Sequence, residues 1–367
     1  MRILMTTDTV GGVWTFARQL SWELLASGCH VALISVGRPP SDAQMRSIDA
    51  QSARWGVQFR FAALAAPLEW MDENERAYSE AAPLLMDVAM SLGADLILSS
   101  QYCFGALPFD GPKIVVAHSD VLSWAKACRQ QALPPSQWLR NYCKLVGQGL
   151  SEADAIVAPT RWMLHALEQN FCISGEPHVI YNGRSIPLSA PSEQRQIQAV
   201  AAGRLWDEAK NLALLTELDL TLPMFIAGEA DRYPSSPQLR SGSAVLVGRL
   251  DEEDILSLFR QSAIYVCPSK YEPFGLAPLE AALSGCAIVA NDIPSLREVW
   301  DDAALFFDDA HSLSALLKRL SQSDCELNAA RKRARRRASH FTAGRMAGAY
   351  LELFRSLLSR GADKYAA

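Results

Sequence analysis

The chain has 367 residues, 49% hydrophobic and 20% charged, with 21 Gly and 19 Pro. That length and balance give material for two globular domains and exclude a fibrous or low-complexity chain. The formal net charge of −5 weighs against nonspecific nucleic-acid binding, and no apolar run approaches the ~18 residues that span a bilayer.

The N-terminus, MRILMTTD, enters a strand with no leader pattern, so the expected location is the cytoplasm. Near-continuous apolar runs follow in order: RILMTTD, HVALISVG, DLILSSQ, KIVVAHS, AIVAPT and HVIYNG. A helix over Val13–Ser27, closed by Gly28, separates the first two. The stretch Asn182–Gln196 is rich in Pro and Ser and poor in apolar residues, as a linker is. Beyond it come IQAVAAGR, MFIAGE, AVLVGR, a helix Asp251–Arg260, IYVCPS, the helix LAPLEAAL, AIVAND and ALFFDD. The last segment, FTAGRMAGAYLELFRSLLSR, reads as a long amphipathic helix. Continuous apolar strands alternating with helices predict parallel sheets covered on both faces. The expected fold is α/β, with two Rossmann-like doubly wound parallel-sheet domains facing across a cleft. The expected bounds are residues 1–185, 186–342 and a C-terminal helix, 343–367, packing back toward the first domain.

Eight cysteines occur, none at C-x-x-C spacing and none near a His that would complete a zinc pattern. They read as small buried hydrophobes in a reducing compartment.

Ligands of doubly wound sheets bind at the carboxyl ends of strands, so the residues after each strand matter most. After the first strand stand Gly11 and Gly12, which let the backbone approach a ligand at a helix start. The pair is not G-x-G-x-x-G, and Gly37-Arg38-Pro39 stands where a dinucleotide site has its acidic residue. After IQAVAAGR, Arg204 and Lys210 bracket a short loop and are suited to neutralising a diphosphate. The plainer reading is a solvated pair bridged to Asp207 and Glu208. After IYVCPS comes YEPFG, then the helix LAPLEAAL. Gly275 permits the turn that bares helix N–H groups to a negative charge. Glu280, in the helix, is suited to vicinal hydroxyls of a ribose, and Glu272, in the loop, to a second polyol. Taken alone, either glutamate reads as a carboxylate answering a helix dipole.

Glu272 to Glu280 resembles the E-x7-E signature of retaining glycosyltransferases of the GT-B fold, family 4. PSKYEPFGLAPLEAALSGCAIVAND is similar to that family almost throughout, and GRLWDEAKN resembles its phosphate loop. The resemblance extends over nearly the whole chain and is strongest over 199–309. It implies a retaining transferase moving a sugar from a nucleotide-diphosphate sugar to a carbohydrate or lipid-linked acceptor. Catalytic residues so implied are His118, Arg204, Lys210 and Glu272. Donor-binding residues so implied are Gly11, Gly12, Arg249, Leu250, Phe274, Gly275 and Glu280. It further implies no cofactor and no metal, with cationic side chains in place of Mg²⁺. Three departures stand out: Asn211 follows Lys210 where many relatives have Gly, Val10-Gly11-Gly12 lacks the preceding Lys of the glycogen and starch synthase branch, which weighs against storage-polymer synthesis, and Asp301-Asp302 stands where Gly-Asp is common. A nucleotide-sugar epimerase or hydrolase, or a non-catalytic nucleotide-sugar binder, are the competing readings. The first needs a further acid/base carboxylate set, and the second should show lost site residues.

Seven of nine Trp lie in the N-terminal half; Trp14 and Trp124 stand near strand ends where a sugar acceptor could stack, and Trp22 reads as core. The run Arg331–Arg337 leaves two readings, a solvated helix or peripheral contact with an anionic membrane at the inner face.

Overall fold

A computed structural model describes residues 1–186, 195–218, 220–229 and 244–365, the last five by backbone alone. The chain forms two compact units. One holds Met1–Ala125, Gln131–Gly183 and Ala343–Ala367; the other holds Lys126–Gln130 and Arg184–Thr342.

In the first unit seven strands are all parallel: β1 (Arg2–Thr7), β2 (His30–Val36), β3 (Phe59–Leu64), β4 (Leu96–Ser99), β5 (Lys113–Val116), β6 (Ala155–Ala158) and β7 (Glu176–Val179). Their order across the sheet is β3-β2-β1-β4-β5-β6-β7. The central strands are buried along their length because helices cover both faces, which is why their sequences do not alternate. β3 was not among the predicted strands. It is an edge strand in which only Phe59 is fully buried and Arg60 and Ala63 are exposed, so FRFAAL lacks the apolar continuity that marks its neighbours.

The helix Gly12–Ala26 packs on the long helix Ala343–Tyr365. Phe16, Leu20, Tyr350 and Phe354 are buried between sheet and helices, with Trp14 set edge-on to Phe61. Trp14 therefore fills core and is no acceptor platform. Trp22, read as core, is 38% exposed and lies edge-on to Trp55.

In the second unit six parallel strands follow the order β10-β9-β8-β11-β12-β13. They are β8 (Gln196–Ala202), β9 (Met224–Ala227), β10 (Ala244–Gly248), β11 (Ser262–Cys267), β12 (Ala287–Asn291) and β13 (Leu305–Phe307). Ala199, Ile264, Val266 and Val289 form the middle of that core with Leu313, Leu317 and Leu320 from the helix Ala310–Gln322.

All eight cysteines are free. Four are buried as expected, while Cys172 and Cys325 are exposed.

Candidate functional site

In each sheet the strand order reverses beside the first strand, between β1 and β4 and between β8 and β11. The loops leaving those strands lie where doubly wound sheets hold ligands.

In the second unit, β8 runs into Gly203–Lys210 and β11 into Pro268–Gly275. The two loops are fastened together. Lys270 N donates to Ala209 O at 2.8 Å, and Asn211 Nδ2 donates to Pro268 O at 3.2 Å. Lys210 Nζ then meets Glu272 Oε2 at 2.5 Å. Ser269 Oγ also donates to that oxygen, at 3.3 Å. Burial disfavours the Lys210 charge, but Glu272 more than offsets it and the ammonium pKa is raised. Arg204 donates from Nη2 to Asp207 Oδ2 at 2.5 Å and stands 5.2 Å from the Trp206 ring. Its Nε–H is buried and has no hydrogen-bond partner among the described residues. The bridge to Asp207 is the one the plainer reading foresaw, yet it leaves that donor unspent.

Backbone demands shape these loops. A Cβ on Gly228 would lie 1.7 Å from Gly203 O, so the end of β9 can approach the end of β8 this closely only with glycine at 228. Asn211 has φ 51°. A left-handed residue is needed there, and Asn supplies it. Asp301, at the end of the helix Pro294–Trp300, has φ 49° for the same turn reason.

Gly275 has φ 91° and opens the helix Leu276–Leu283. Leu279, Ala281 and Ala282 of that helix are buried, and Glu280 sits among them, its side chain 13% exposed. Glu280 Oε1 accepts from Arg184 Nε at 2.6 Å, while Arg184 Nη2 donates to Glu252 Oε1 at 2.6 Å. Arg184 was missed because it lies in the stretch read as linker; its only signal was a lone cation after IYNG. Phe274 is 2% exposed and packs edge-on to Phe341 at 5.5 Å, so only its backbone can meet a ligand. Arg249 is exposed and Leu250 half-buried just past β10, whose last residue, Gly248, accepts from Gly228 N at 2.8 Å.

In the first unit, Gly11 has φ 64° and ψ −138° and is exposed with Gly12 at the start of the helix Gly12–Ala26. Asp8 Oδ1 accepts from Val10 N at 2.7 Å and shapes the turn. His118 follows β5. Its Nε2 lies 3.2 Å from Ser100 Oγ, past the end of β4, and Phe16 lies edge-on at 4.6 Å. Burial lowers the imidazole pKa to about 3, so the ring is neutral at ordinary pH.

The basic run lies in the helix Asp324–Ala338. Arg331 Nε donates to Gly285 O, and Arg337 donates from Nε to Val299 O and from Nη2 to Glu298 O. Both ends of the run thus answer helix-terminal carbonyls, while Lys332, Arg335 and Arg336 are exposed. Among the described residues, no helix is long and apolar enough to cross a membrane, and no three His, Cys, Asp or Glu side chains cluster.

The sequence model described as "Glycosyl transferases group 1" matches residues 195–338, and that described as "Glycosyltransferase Family 4" matches residues 10–186. This chain belongs to the family 4, group 1 glycosyltransferases. Among curated relatives, the serotype-specific mannosyltransferase WbdA of Escherichia coli is 30% identical over 116 residues, 29% of this chain and 14% of WbdA. The alignment thus spans about a seventh of that relative's length. Two solved structures share the fold. Sucrose-phosphate synthase from Thermosynechococcus elongatus superposes with a TM-score of 0.79 at 18% identity, covering 98% of this chain and 100% of that one. Anabaena HepE, solved in complex with UDP-glucose, gives 0.71 at 16% identity, covering 97% and 100%. As a family 4 member the chain has the GT-B fold, each unit supplying one parallel sheet.

Proposed function

We propose that this protein is a retaining glycosyltransferase that moves a sugar from a nucleoside-diphosphate sugar to a hydroxyl of a carbohydrate or lipid-linked acceptor, without a metal ion. The observation that carries the reading is the pair of joined loops beyond β8 and β11. They bring two cations and Glu272 together at the sheet's switch point, with the Arg204 Nε–H buried and unspent among the described residues. The family membership, and the UDP-glucose named for HepE, support the same donor class.

In the reaction the bond from the anomeric carbon to the diphosphate oxygen breaks as the acceptor oxygen bonds to that carbon on the same face. The acceptor's proton passes to a phosphate oxygen of the leaving group. Arg204 and Lys210 stabilise the charge that develops on the diphosphate, which is where preorganised donors contribute most. Two fixed cations serve in place of a divalent metal. Glu272, already held by Lys210, accepts from donor-sugar hydroxyls, and the backbone at Phe274 and Gly275 lies beside it. Glu280 accepts from the ribose. Gly11 and Gly12 offer backbone N–H groups to phosphate, Arg249 and Leu250 meet the base through backbone, and His118, neutral, donates or accepts a hydrogen bond near the anomeric centre without adding positive charge there.

The test is thermal stabilisation by UDP, GDP, ADP and CMP and their sugar forms, with and without EDTA. One nucleotide diphosphate is expected to stabilise the protein, by about 2.7 kcal/mol at a hundredfold excess over Kd. EDTA should leave the shift unchanged and Glu280→Ala should abolish it. No response to any nucleotide sugar at millimolar concentration would sink the reading.

A further inference from the structure

Two indoles stand at the surface of the first unit, Trp22 and Trp70, each 38% exposed. Trp22 lies on the helix Gly12–Ala26 and is met edge-on by Trp55. Trp70 is met by no other ring or cation, and its indole N–H has no acceptor, among the described residues.

Trp70 belongs to the loop 65–76, between β3 and the helix Ala77–Leu92. Its neighbours fix the course of that loop. It leaves the carboxyl end of β3 and passes the end of β2, where a Cβ on Gly37 would lie 3.1 Å from Leu68 Cδ1 and 3.3 Å from Met71 Cε. It then reaches the segment after β4, where Tyr102 N donates to Glu69 Oε1 at 2.9 Å. The loop therefore runs along the carboxyl edge of the sheet, the side on which doubly wound sheets hold ligands.

The chain is pinned on both sides of Trp70. Glu69 is buried, and its carbonyl accepts from Asn74 Nδ2 at 3.1 Å. Asn74, also buried, donates to Trp138 O at 3.0 Å. Met71 O accepts from Trp138 Nε1 at 2.7 Å, and Met71 N donates to Leu68 O at 2.9 Å. Withdrawing a carboxyl and an amide from water is costly. Here both hold the backbone that presents one exposed indole.

We propose that Trp70 is a saccharide platform: its face stacks on a pyranose ring of the acceptor, and its N–H donates to a hydroxyl at the rim of that ring. The proposal deepens the transferase reading above by naming the acceptor as a pyranoside, and its acceptor role rests on that reading. A pyranose turns C–H groups to one face and hydroxyls to its rim, so an aromatic face covers the first and leaves the second wet. An indole on a backbone already held loses little freedom when it binds. Charge argues against a membrane as occupant. Asp72, Glu73 and Glu75 are exposed on the same loop, and Arg76 is bridged to Glu73 and Glu80. An anionic lipid surface would be repelled there, whereas carboxylates accept hydrogen bonds from the hydroxyls of a neutral sugar.

Saturation-transfer NMR on the full chain tests this, with methyl α-D-mannopyranoside, maltose and maltotriose as probes and sorbitol as an acyclic polyol. The proteins are wild type, Trp70→Phe, Trp70→Leu, Trp70→Ala and Trp22→Leu, each checked for native near-UV circular dichroism. Wild type should transfer saturation to the C–H protons of one pyranose face in at least one probe, and not to sorbitol. Trp70→Phe should hold that sugar within about twofold of wild type, because a smaller aromatic face remains. Trp70→Leu and Trp70→Ala should weaken it about fivefold or more, since an apolar side chain without a ring face cannot stack. Trp22→Leu, altered at an equally exposed indole away from the carboxyl edge, should match wild type.

Should Trp70→Ala not fold, the leucine and phenylalanine variants decide. Wild-type affinity in Trp70→Leu overturns the proposal, as does an equal loss in Trp22→Leu. So does a wild type that responds to no pyranoside, or responds equally to sorbitol. A wild type that sediments as a dimer while Trp70→Leu is a monomer places a second copy on the indole and overturns it too. Thermal stabilisation of wild type by UDP, GDP and ADP is read alongside. Saccharide binding that needs Trp70, with no response to any nucleotide, sinks the transferase reading and leaves the saccharide site. A nucleotide response with no dependence of saccharide binding on Trp70 overturns this proposal alone.

Discussion

At the scale of single residues, two departures from the family pattern have a backbone cause. Asn211 adopts φ 51° and spends its amide on Pro268 O. Asn211→Ala should cost about 1–2 kcal/mol, the sum of a left-handed Ala and a lost hydrogen bond. Asn211→Gly should be near neutral, because relief of φ offsets that bond. Urea midpoints of the three proteins check the ranking. His118 carries a second, pH-dependent effect. Its folded pKa is about 3, below that of the unfolded chain at about 6.5, so below pH 6.5 the unfolded state binds the extra proton. Stability attributable to His118 is full above that value and declines as pH falls, by up to about 1.4 kcal/mol per pH unit. His118→Gln should flatten that acid limb, read as Tm from pH 7 to pH 4. Charge pairing was hardest to foresee at this scale. Lys210 and Glu272 were each singled out from their motifs, but that they bond to one another depends on loops 62 residues apart.

At the scale of elements, the helix Leu276–Leu283 shows how a glycine places a function. A Cβ on Gly275 would come within 2.7 Å of Pro278 Cγ and 3.3 Å of Glu272 Cγ. Its φ of 91° is also strained for any other residue. Gly275→Ala should cost on the order of 1–3 kcal/mol and move both glutamates. Nucleotide-sugar response should weaken about tenfold, more than the loss in Tm accounts for; an unchanged response would argue against the glutamates reading the ligand. Strands with continuous apolar runs were legible because burial on two faces leaves no room for polar alternation. β3 was not, because an edge strand with a single fully buried residue resembles many loops. The basic run was legible as helix, but not the use of its two ends as caps for neighbouring carbonyls.

At the scale of the whole molecule, the chain leaves the first unit briefly over Lys126–Gln130, leaves it again at Gly183 and returns to it at Ala343. The returning helix is structural: Met346, Tyr350, Phe354 and Leu357 are buried against Phe16, Leu20 and the sheet. Residues 1–183 expressed alone should therefore expose that face. They should bind a hydrophobic dye and lose near-UV dichroism, and a peptide of residues 343–365 added in trans should restore both. A well-packed 1–183 fragment would show that the helix is dispensable.

The sequence by itself determined the fold class, the two-sheet plan and the short motifs at strand ends, because burial, helix period and glycine requirements act over a few neighbouring residues. It also marked Arg204, Lys210, Glu272 and Glu280 as worth attention. Only the tertiary structure decided which charges pair, since Arg184 meets Glu280 across 96 residues and Lys210 meets Glu272 across 62. It also decided which aromatics are core, as Trp14 is and Trp22 is not. The physical reason is that desolvation and ion pairing depend on distances that folding creates, and no local pattern of the chain encodes them.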